Sequence, residues 1–521
     1  MWKTFRLTPE ENLQIATKAW SDFAATIPLI RSFSYGNNFP PEYPIYAGPP
    51  IRYHFFFFMI VGLLEKLGIP LDLALNSLST LGFFLLLSAI YLVGKTIFRS
   101  KAIGIISTVL FLFNGSFAYL EFFKNNPPSL KTISDIIENR NFSSFGPYDG
   151  RIVSAFWNLN VYTNQRHLAL AYSLFILLLI LIYKYSTKLK VFNWYKSFIL
   201  GFFLGLTPFL HFSVFVMSGV SLLIFLIIFP KIRIKIFTAG TIALLLAIPQ
   251  YLYMGQSEVA VKFFKPGYLI ENLSLFNFIK YWFLNLGLTT LLAPIGFLLA
   301  TKEQRKILLP FLAFFLIGNL FQFTPDMPTN HKFFNLFLIG VNFFTALFLY
   351  KTYTKNALGK VSVTIVFPFL ILSGIIDFFP IVNDRYITIQ DIPNNKVAKF
   401  IAENTPKDSV FLNSSYLYNP ASIAGRKIYM GWPYFAWSAG YDTNARKEKM
   451  KKFFKPNNLT TLCNQLIKED IDFIEINNRT GLEDIEINDQ FFENNFIDIY
   501  KSEASYTKIY DVKKSCQSNI Y

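Results

Sequence analysis

The residue types best suited to chemistry in this chain stand at the edges of its apolar segments. There are four histidines, His54, His167, His211 and His331. Three have cationic or amide neighbours: Arg52 before His54, Gln165 and Arg166 before His167, and Asn330 and Lys332 around His331. Imidazole, guanidinium and ammonium groups at a membrane surface suit a phosphate on a lipid carrier, because charge-assisted hydrogen bonds are strong there. Any one of them alone reads as an ordinary helix-end residue. Asp22 is the strongest acidic candidate, since it lies inside the largely apolar stretch KAWSDFAATIPLIRSF. A carboxylate there is costly unless it is paired or functional. Its plain alternative is an ion pair with Lys18, one helical turn earlier. Glu42 in PPEYP and Asp149 in GPYDGR are weaker candidates for substrate contact, and turn chemistry accounts for Asp326 in TPDMP.

Tyr35, Phe39, Tyr43, Tyr46, Trp157, Tyr162, Trp432, Tyr434 and Trp437 could stack on a sugar. As interfacial belt or core residues they need no ligand, and that reading is preferred for most of them. No Walker loop, GxGxxG fingerprint, zinc motif or nucleophile elbow is present. With no compact carboxylate cluster, no cofactor is expected and a catalytic divalent metal is not favoured. Cys463 and Cys516 lack metal-ligand spacing. A disulfide between them would need an extracytoplasmic setting, and two unrelated thiols are the preferred reading.

The elements that must position these groups follow from composition. The 521 residues are 53% hydrophobic, 18% aromatic and 16% charged, against about 25% charged in soluble domains. That excludes a plain cytosolic enzyme, a disordered chain and a collagen-like one, and leaves a polytopic membrane protein. The net charge of +16 is no sign of a nucleic-acid partner, because Lys and Arg collect in short loops between apolar segments, the positive-inside pattern.

Ten apolar segments read as spans, near 76–97, 102–122, 167–186, 196–211, 213–229, 234–252, 278–300, 307–323, 333–350 and 361–379. The stretch from Phe55 to Leu67 is short and carries Glu65 and Lys66, so it reads as a non-crossing juxtamembrane helix. Five basic clusters, around Lys95–Lys101, Lys184–Lys190, Lys231–Lys235, Lys302–Lys306 and Lys351–Lys360, then share the cytoplasmic side. Residues 1–75 form an outer-face region of loop and juxtamembrane helices. Residues 76–380 form the transmembrane helical domain, with outer loops at 123–166 and 253–277. Residues 381–521 form a small extracytoplasmic α/β domain. All four histidines fall at outer helix ends. Because nothing precedes residues 1–75 to carry them across, a further transmembrane helix is expected before Met1.

Within the first region, Thr8-Pro9-Glu10-Glu11 has the look of a capping box, predicting a helix from there to about Phe33. The five prolines between Gly36 and Arg52 predict an ordered extended loop. The tail predicts helices at Lys396–Glu403 and Leu459–Lys468. Its strands are predicted at Ser409–Leu412, Ile471–Ile476, Ile497–Tyr500 and Thr507–Val512.

Several motifs together resemble the GT-C superfamily of polytopic glycosyltransferases, related to protein mannosyltransferases and aminoarabinose transferases. They are Asp22 before IPLIRSF, the run NNFPPEYPIYAGPPIRYH, the basic turn GKTIFRSKAIG and a span ending in LFNGS. The stretches NQRHLAL, NHKFFNLF and GWPYFAWSAGYDTNAR further resemble a bacterial and archaeal branch of that superfamily. The resemblance implies a polyprenyl-phosphate sugar donor and an acidic catalytic residue in the first outer loop, the position that Asp22 matches. It implies a multi-pass cell-membrane enzyme that moves a sugar to a lipid, glycan or protein acceptor at the outer face. Arg52, Arg166, His167 and Lys332 would then hold the departing phosphate, with His54 and His331 assisting and with Asp149 and Glu42 as weaker candidates for substrate contact. Two other classes stand beside it. A transporter or flippase of lipid-linked glycans would need polar residues along a path through the bilayer, and the middles of the spans carry almost no charge. A non-catalytic envelope scaffold would have no use for Asp22.

Overall fold

A computed structural model describes residues 1–144, 151–187, 192–477, 485–503 and 505–518. Asp149, Lys188 and Lys190 lie outside the described residues.

The chain is mainly helical. Six helices are long and apolar enough to cross a membrane: Leu71–Thr96, Leu168–Thr187, Pro208–Ile228, Pro230–Met254, Met327–Lys355 and Ala357–Val382. The pair Leu275–Leu286 and Thr289–Leu299, bent by 86°, would make a seventh if it forms one span. By length and composition alone six helices, or seven with the bent pair, qualify as spans among the described residues, against the ten expected from the sequence. The shortfall has local causes. The second apolar segment breaks at Phe113 after a 12-residue helix, Lys101–Leu112. The segment near 196–211 is likewise a 12-residue helix, Trp194–Gly205. Thr301 and Gln304 form a capping box that starts the helix Lys302–Leu320 inside the basic cluster, so its first turns are charged. Helices Leu71–Thr96 and Lys101–Leu112 meet backbone to backbone: a Cβ built on Gly94 would stand 2.3 Å from the Gly104 Cα, the small-residue contact common between membrane helices.

The predicted helix from Thr8 does not form. Phe5–Leu7 and Leu13–Ala16 are antiparallel strands instead, with Phe5 opposite Ile15 and Leu7 opposite Leu13. Thr8 and Asn12 close the turn, the Thr8 amide donating to the Asn12 carbonyl at 2.9 Å. Strand Leu13–Ala16 pairs in turn with Tyr386–Ile389. The alternation of Leu13 and Ile15, both fully buried, outweighs the capping signal because the tail supplies a third strand. The helix is confined to Trp20–Ser34. In the proline-rich stretch, Glu42–Tyr43 and Tyr46–Pro50 form a small antiparallel ribbon.

The tail carries a five-stranded sheet in the order Lys427–Ile428, Val410–Asn413, Phe473–Ile476, Thr507–Asp511, Ile497–Ser502. Its first three strands are parallel and its last two antiparallel. Cys463 and Cys516 form a disulfide with 5.6 Å between Cα atoms, which corrects the reading of two unrelated thiols. Their separation in sequence hid that helices Leu459–Lys468 and Val512–Ser518 pack side by side.

One buried ion cluster joins the parts. Arg31 of the helix Trp20–Ser34 pairs with Asp391 of the tail at 2.6 Å and with Glu65 of the juxtamembrane helix Phe56–Lys66 at 3.3 Å. Both carboxylates meet the same guanidinium nitrogen, Nη2, so the buried charge is paired only when all three elements are docked.

Candidate functional site

A cavity of about 270 Å³ lies where the helix Trp20–Ser34, the proline-rich stretch, the segment 155–167, the start of the helix His331–Lys355 and the tail helix Pro433–Ser438 meet. Asp22 stands on its wall from the first turn of its helix. The carboxylate has no hydrogen-bond or ion-pair partner among the described residues, and burial pushes its pKa up to about 6. The alternative pairing with Lys18 is not made. Lys18 instead reaches Asp384 at 2.9 Å.

Lys332 stands on the wall of the same cavity, at the start of its helix. Its ammonium group also lacks a hydrogen-bond partner among the described residues. Beside it, His331 is fully satisfied: Gln165 Nε2 donates to its Nε2 at 3.1 Å, which leaves Nδ1–H to donate to Asn335 Oδ1 at 2.8 Å. The ring lies flat on Phe156 at 5.1 Å. Asp326 accepts from the Tyr434 hydroxyl at 2.9 Å, fastening the tail helix over the cavity, and burial raises its pKa.

His54, His167 and His211 come together. Their ring centroids are 4.2 Å apart for His54 and His167, 4.5 Å for His54 and His211, and 5.2 Å for His167 and His211. His211 reaches the others because its helix kinks there, with extended backbone at φ −168°, ψ 100°. His167 is shared between this cluster and the cavity wall. Burial first, then the neighbouring His167, His211 and Lys332, hold the His54 imidazole neutral, far below its ordinary pKa.

The arginines are placed elsewhere. Arg166 is fully buried and lies off the cavity wall. Its guanidinium donates to the Thr163 carbonyl at 2.6 Å, Asn76 Oδ1 at 3.0 Å and Thr4 Oγ1 at 2.7 Å. Arg52 is off the wall too, donating to the Gly440 carbonyl at 2.8 Å and to Glu258 at 2.6 Å while lying over the Tyr441 ring. Glu42 is spent on Lys427 at 2.9 Å and on the Gly48 amide at 2.8 Å. Forked donors are the easiest cations to satisfy with carbonyls and carboxylates, so the fold used them to dock loops.

Of the nine aromatics singled out in the sequence, Tyr43 and Tyr434 line the cavity. Tyr53, Asn160 and Asn164 also line it and were not foreseen. The amide-rich run Asn158–Gln165, set between apolar segments, was the available signal for the two asparagines.

The fold is similar to that of an archaeal oligosaccharyltransferase. The solved structure is that of the Archaeoglobus fulgidus enzyme tethered with an acceptor peptide containing the NVT sequon via a disulfide bond. Identity is 13%, covering 92% of this chain and 67% of that one, with a TM-score of 0.47. Its apo form matches at 12% identity over 89% of this chain and 66% of that one, TM-score 0.41. The archaeal oligosaccharyltransferase AglB of the same organism, in complex with an inhibitory peptide and a dolichol-phosphate, matches at 12% identity over 100% of this chain and 73% of that one, TM-score 0.42. The chain thus spans about two thirds to three quarters of those chains. No family model and no curated protein matches it.

Proposed function

We propose that this chain is a multi-pass membrane glycosyltransferase that moves a sugar from a polyprenyl-phosphate donor to a lipid, glycan or protein acceptor at the outer membrane face. One observation carries the reading: the Asp22 carboxylate and the Lys332 ammonium, neither with a hydrogen-bond or ion-pair partner among the described residues, stand on the wall of one cavity. An acid and a base left unpaired in the same enclosure are what group transfer with a phosphate leaving group needs. The acceptor hydroxyl oxygen forms the new bond to the anomeric carbon as the bond from that carbon to the phosphate oxygen breaks. Asp22 takes the hydroxyl proton. Lys332 stabilises the charge gathering on the departing phosphate. Tyr43 and Tyr53, stacked on each other at 6.1 Å on the same wall, would pack against the sugar.

The lipid-linked donor has separate support. An apolar cavity of about 540 Å³, lined among others by Trp282, Phe315, Phe337, Val341 and Phe344, follows the helix that Lys332 begins. A polyprenyl chain fits such a lining while its phosphate stays at Lys332. The resemblance of the Asp22 and NNFPPEYPIYAGPPIRYH motifs to GT-C glycosyltransferases points the same way. The test is transfer of label from a radiolabelled polyprenyl-phosphate sugar by the purified protein with a panel of lipid and peptide acceptors. Release of label by wild type and its loss in Asp22→Asn support the reading. Movement of intact donor across liposomes without transfer would support a flippase instead.

We further infer that the cavity and tail face outward, with ten membrane passes as the basic clusters indicate. The Cys463–Cys516 disulfide supports that side, since such bonds persist outside the reducing cytoplasm. Cysteines placed at the exposed positions Asn37 and Asn444 should react with an impermeant thiol reagent in intact cells. Protection of either one counts against this topology.

A further inference from the structure

The geometry points to a transition-metal site built from His54, His167 and His211. The three come from separate elements: the end of the proline-rich stretch, the residue before the helix Leu168–Thr187, and the kink within Pro208–Ile228. One ring nitrogen from each can be chosen so that all three lie within 4.8 Å of one another. All three residues are buried, at 9%, 1% and 0% exposure. Both ring nitrogens of His167, both of His211 and Nε2 of His54 have no hydrogen-bond partner among the described residues. Leaving one buried polar group unsatisfied costs about 1–3 kcal/mol. Each ring has an unsatisfied nitrogen to turn into the cluster, and three of them within 4.8 Å of one another call for a ligand. His331 is the internal contrast, for it is equally buried and has both nitrogens bonded.

The donor set selects the ligand class. Three neutral imidazoles with no carboxylate suit zinc, cobalt, nickel or copper, and not magnesium or calcium, which take oxygen ligands. Zinc–nitrogen bonds of about 2.0–2.1 Å in tetrahedral geometry put ligand nitrogens roughly 3.3 Å apart. Small rotations of the side chains would close the present cluster to that spacing. Three protein ligands leave a fourth position open, as in sites where the metal binds an exchangeable ligand. That position would open toward the cavity, whose wall His167 shares with its neighbours Tyr53 and Phe58. Lys332 acts electrostatically on all three histidines. Its charge opposes a bare dication, so the fourth ligand should be anionic: hydroxide, or a phosphate oxygen shared with Lys332. Around His167 the outer shell is aromatic, with Phe58 edge-on at 5.3 Å and Phe57 and Tyr53 each at 6.3 Å. Without a carboxylate behind the ligands the site should bind less tightly than zinc sites that have one.

The inference does not rest on the glycosyltransferase reading, and its test needs no transfer assay. The full chain, purified in detergent with a tag free of histidine, is stripped with chelator and dialysed against zinc or cobalt. Elemental analysis should return about one metal per chain, and the cobalt form should show the visible bands of a tetrahedral ion. His54→Ala, His167→Ala and His211→Ala should each lower bound metal at least about tenfold, as loss of one of three ligands predicts. His211→Leu keeps the volume of the ring's site, so a monodisperse, metal-free His211→Leu protein separates ligand loss from misfolding. His331→Ala should retain the metal. Wild-type protein that stays metal-free while folded would overturn the site. So would metal that survives all three substitutions, or binding of inorganic phosphate alone at the cluster.

Discussion

Two groups of charged residues each draw a member from the helix Trp20–Ser34, Arg31 in one and Asp22 in the other, and are treated in opposite ways. In the ion cluster, Arg31 is held by Asp391 and Glu65, and Arg166, on a different segment, likewise spends its guanidinium on Thr163, Asn76 and Thr4. On the cavity wall, the Asp22 carboxylate and the Lys332 ammonium have no hydrogen-bond partner among the described residues. Residue type does not separate the groups, since each holds an acid and a base in a sheltered place. What separates them is satisfaction. A paired buried charge is explained by the fold that encloses it. An unpaired one costs stability and persists only where something else needs it.

The sharpest way to break this contrast is to neutralise Asp22. Asp22→Asn should lower transfer by about 10²–10⁴-fold, the usual cost of losing a general base, measured as single-turnover rate with saturating donor. The same variant should melt higher at pH 7.5. With a folded pKa of about 6 against an ordinary value near 3.9, the folded state holds the Asp22 proton more tightly than the unfolded state. Folding is therefore penalised above pH 6, and the penalty fades as pH falls from 6 towards 4. Cavity water screens part of it, so the expected gain is on the order of 1 kcal/mol. A variant that is inactive and less stable would show a structural Asp22. In the wild type the base must be ionised, so the transfer rate should fall about tenfold per pH unit below pH 6 and level off above it.

The converse substitution tests the paired group. Arg31→Met leaves Asp391 and Glu65 buried without a cation, and should cost about 3–5 kcal/mol of stability. Donor affinity in the surviving folded fraction should be unchanged, as read by equilibrium binding of labelled donor. Lys332→Met should do the reverse. Donor binding should weaken about ten- to a hundredfold, as loss of one charge-assisted hydrogen bond worth about 1.5–3 kcal/mol predicts, while the melting temperature holds or rises. The smallest effect is expected at Arg52, whose partner Glu258 has a side chain 42% exposed. Arg52→Ala should cost at most about 1 kcal/mol and leave donor affinity untouched. A large loss of donor binding there would redraw the site.

Local chemistry was legible without coordinates wherever it depends on neighbours in the chain. The membrane class, the helices at the apolar segments and most strands of the tail follow from hydropathy and period. Asp22 stood out because a carboxylate among Ala, Phe and Ile is expensive whatever the fold, and His167 and Lys332 because they head apolar helices. Pairing was not legible. Asp391 belongs to Arg31, Asp384 to Lys18 and Glu258 to Arg52 only because distant segments dock. The cysteines bond, and Leu13–Ala16 becomes a strand, for the same reason. Four histidines at helix ends looked alike in sequence. Only the kink at His211 and the amide partners of His331 divide them into three that converge and one that is spent. Burial energies depend on what each polar atom finally meets, and that is set by contacts between segments far apart in the chain.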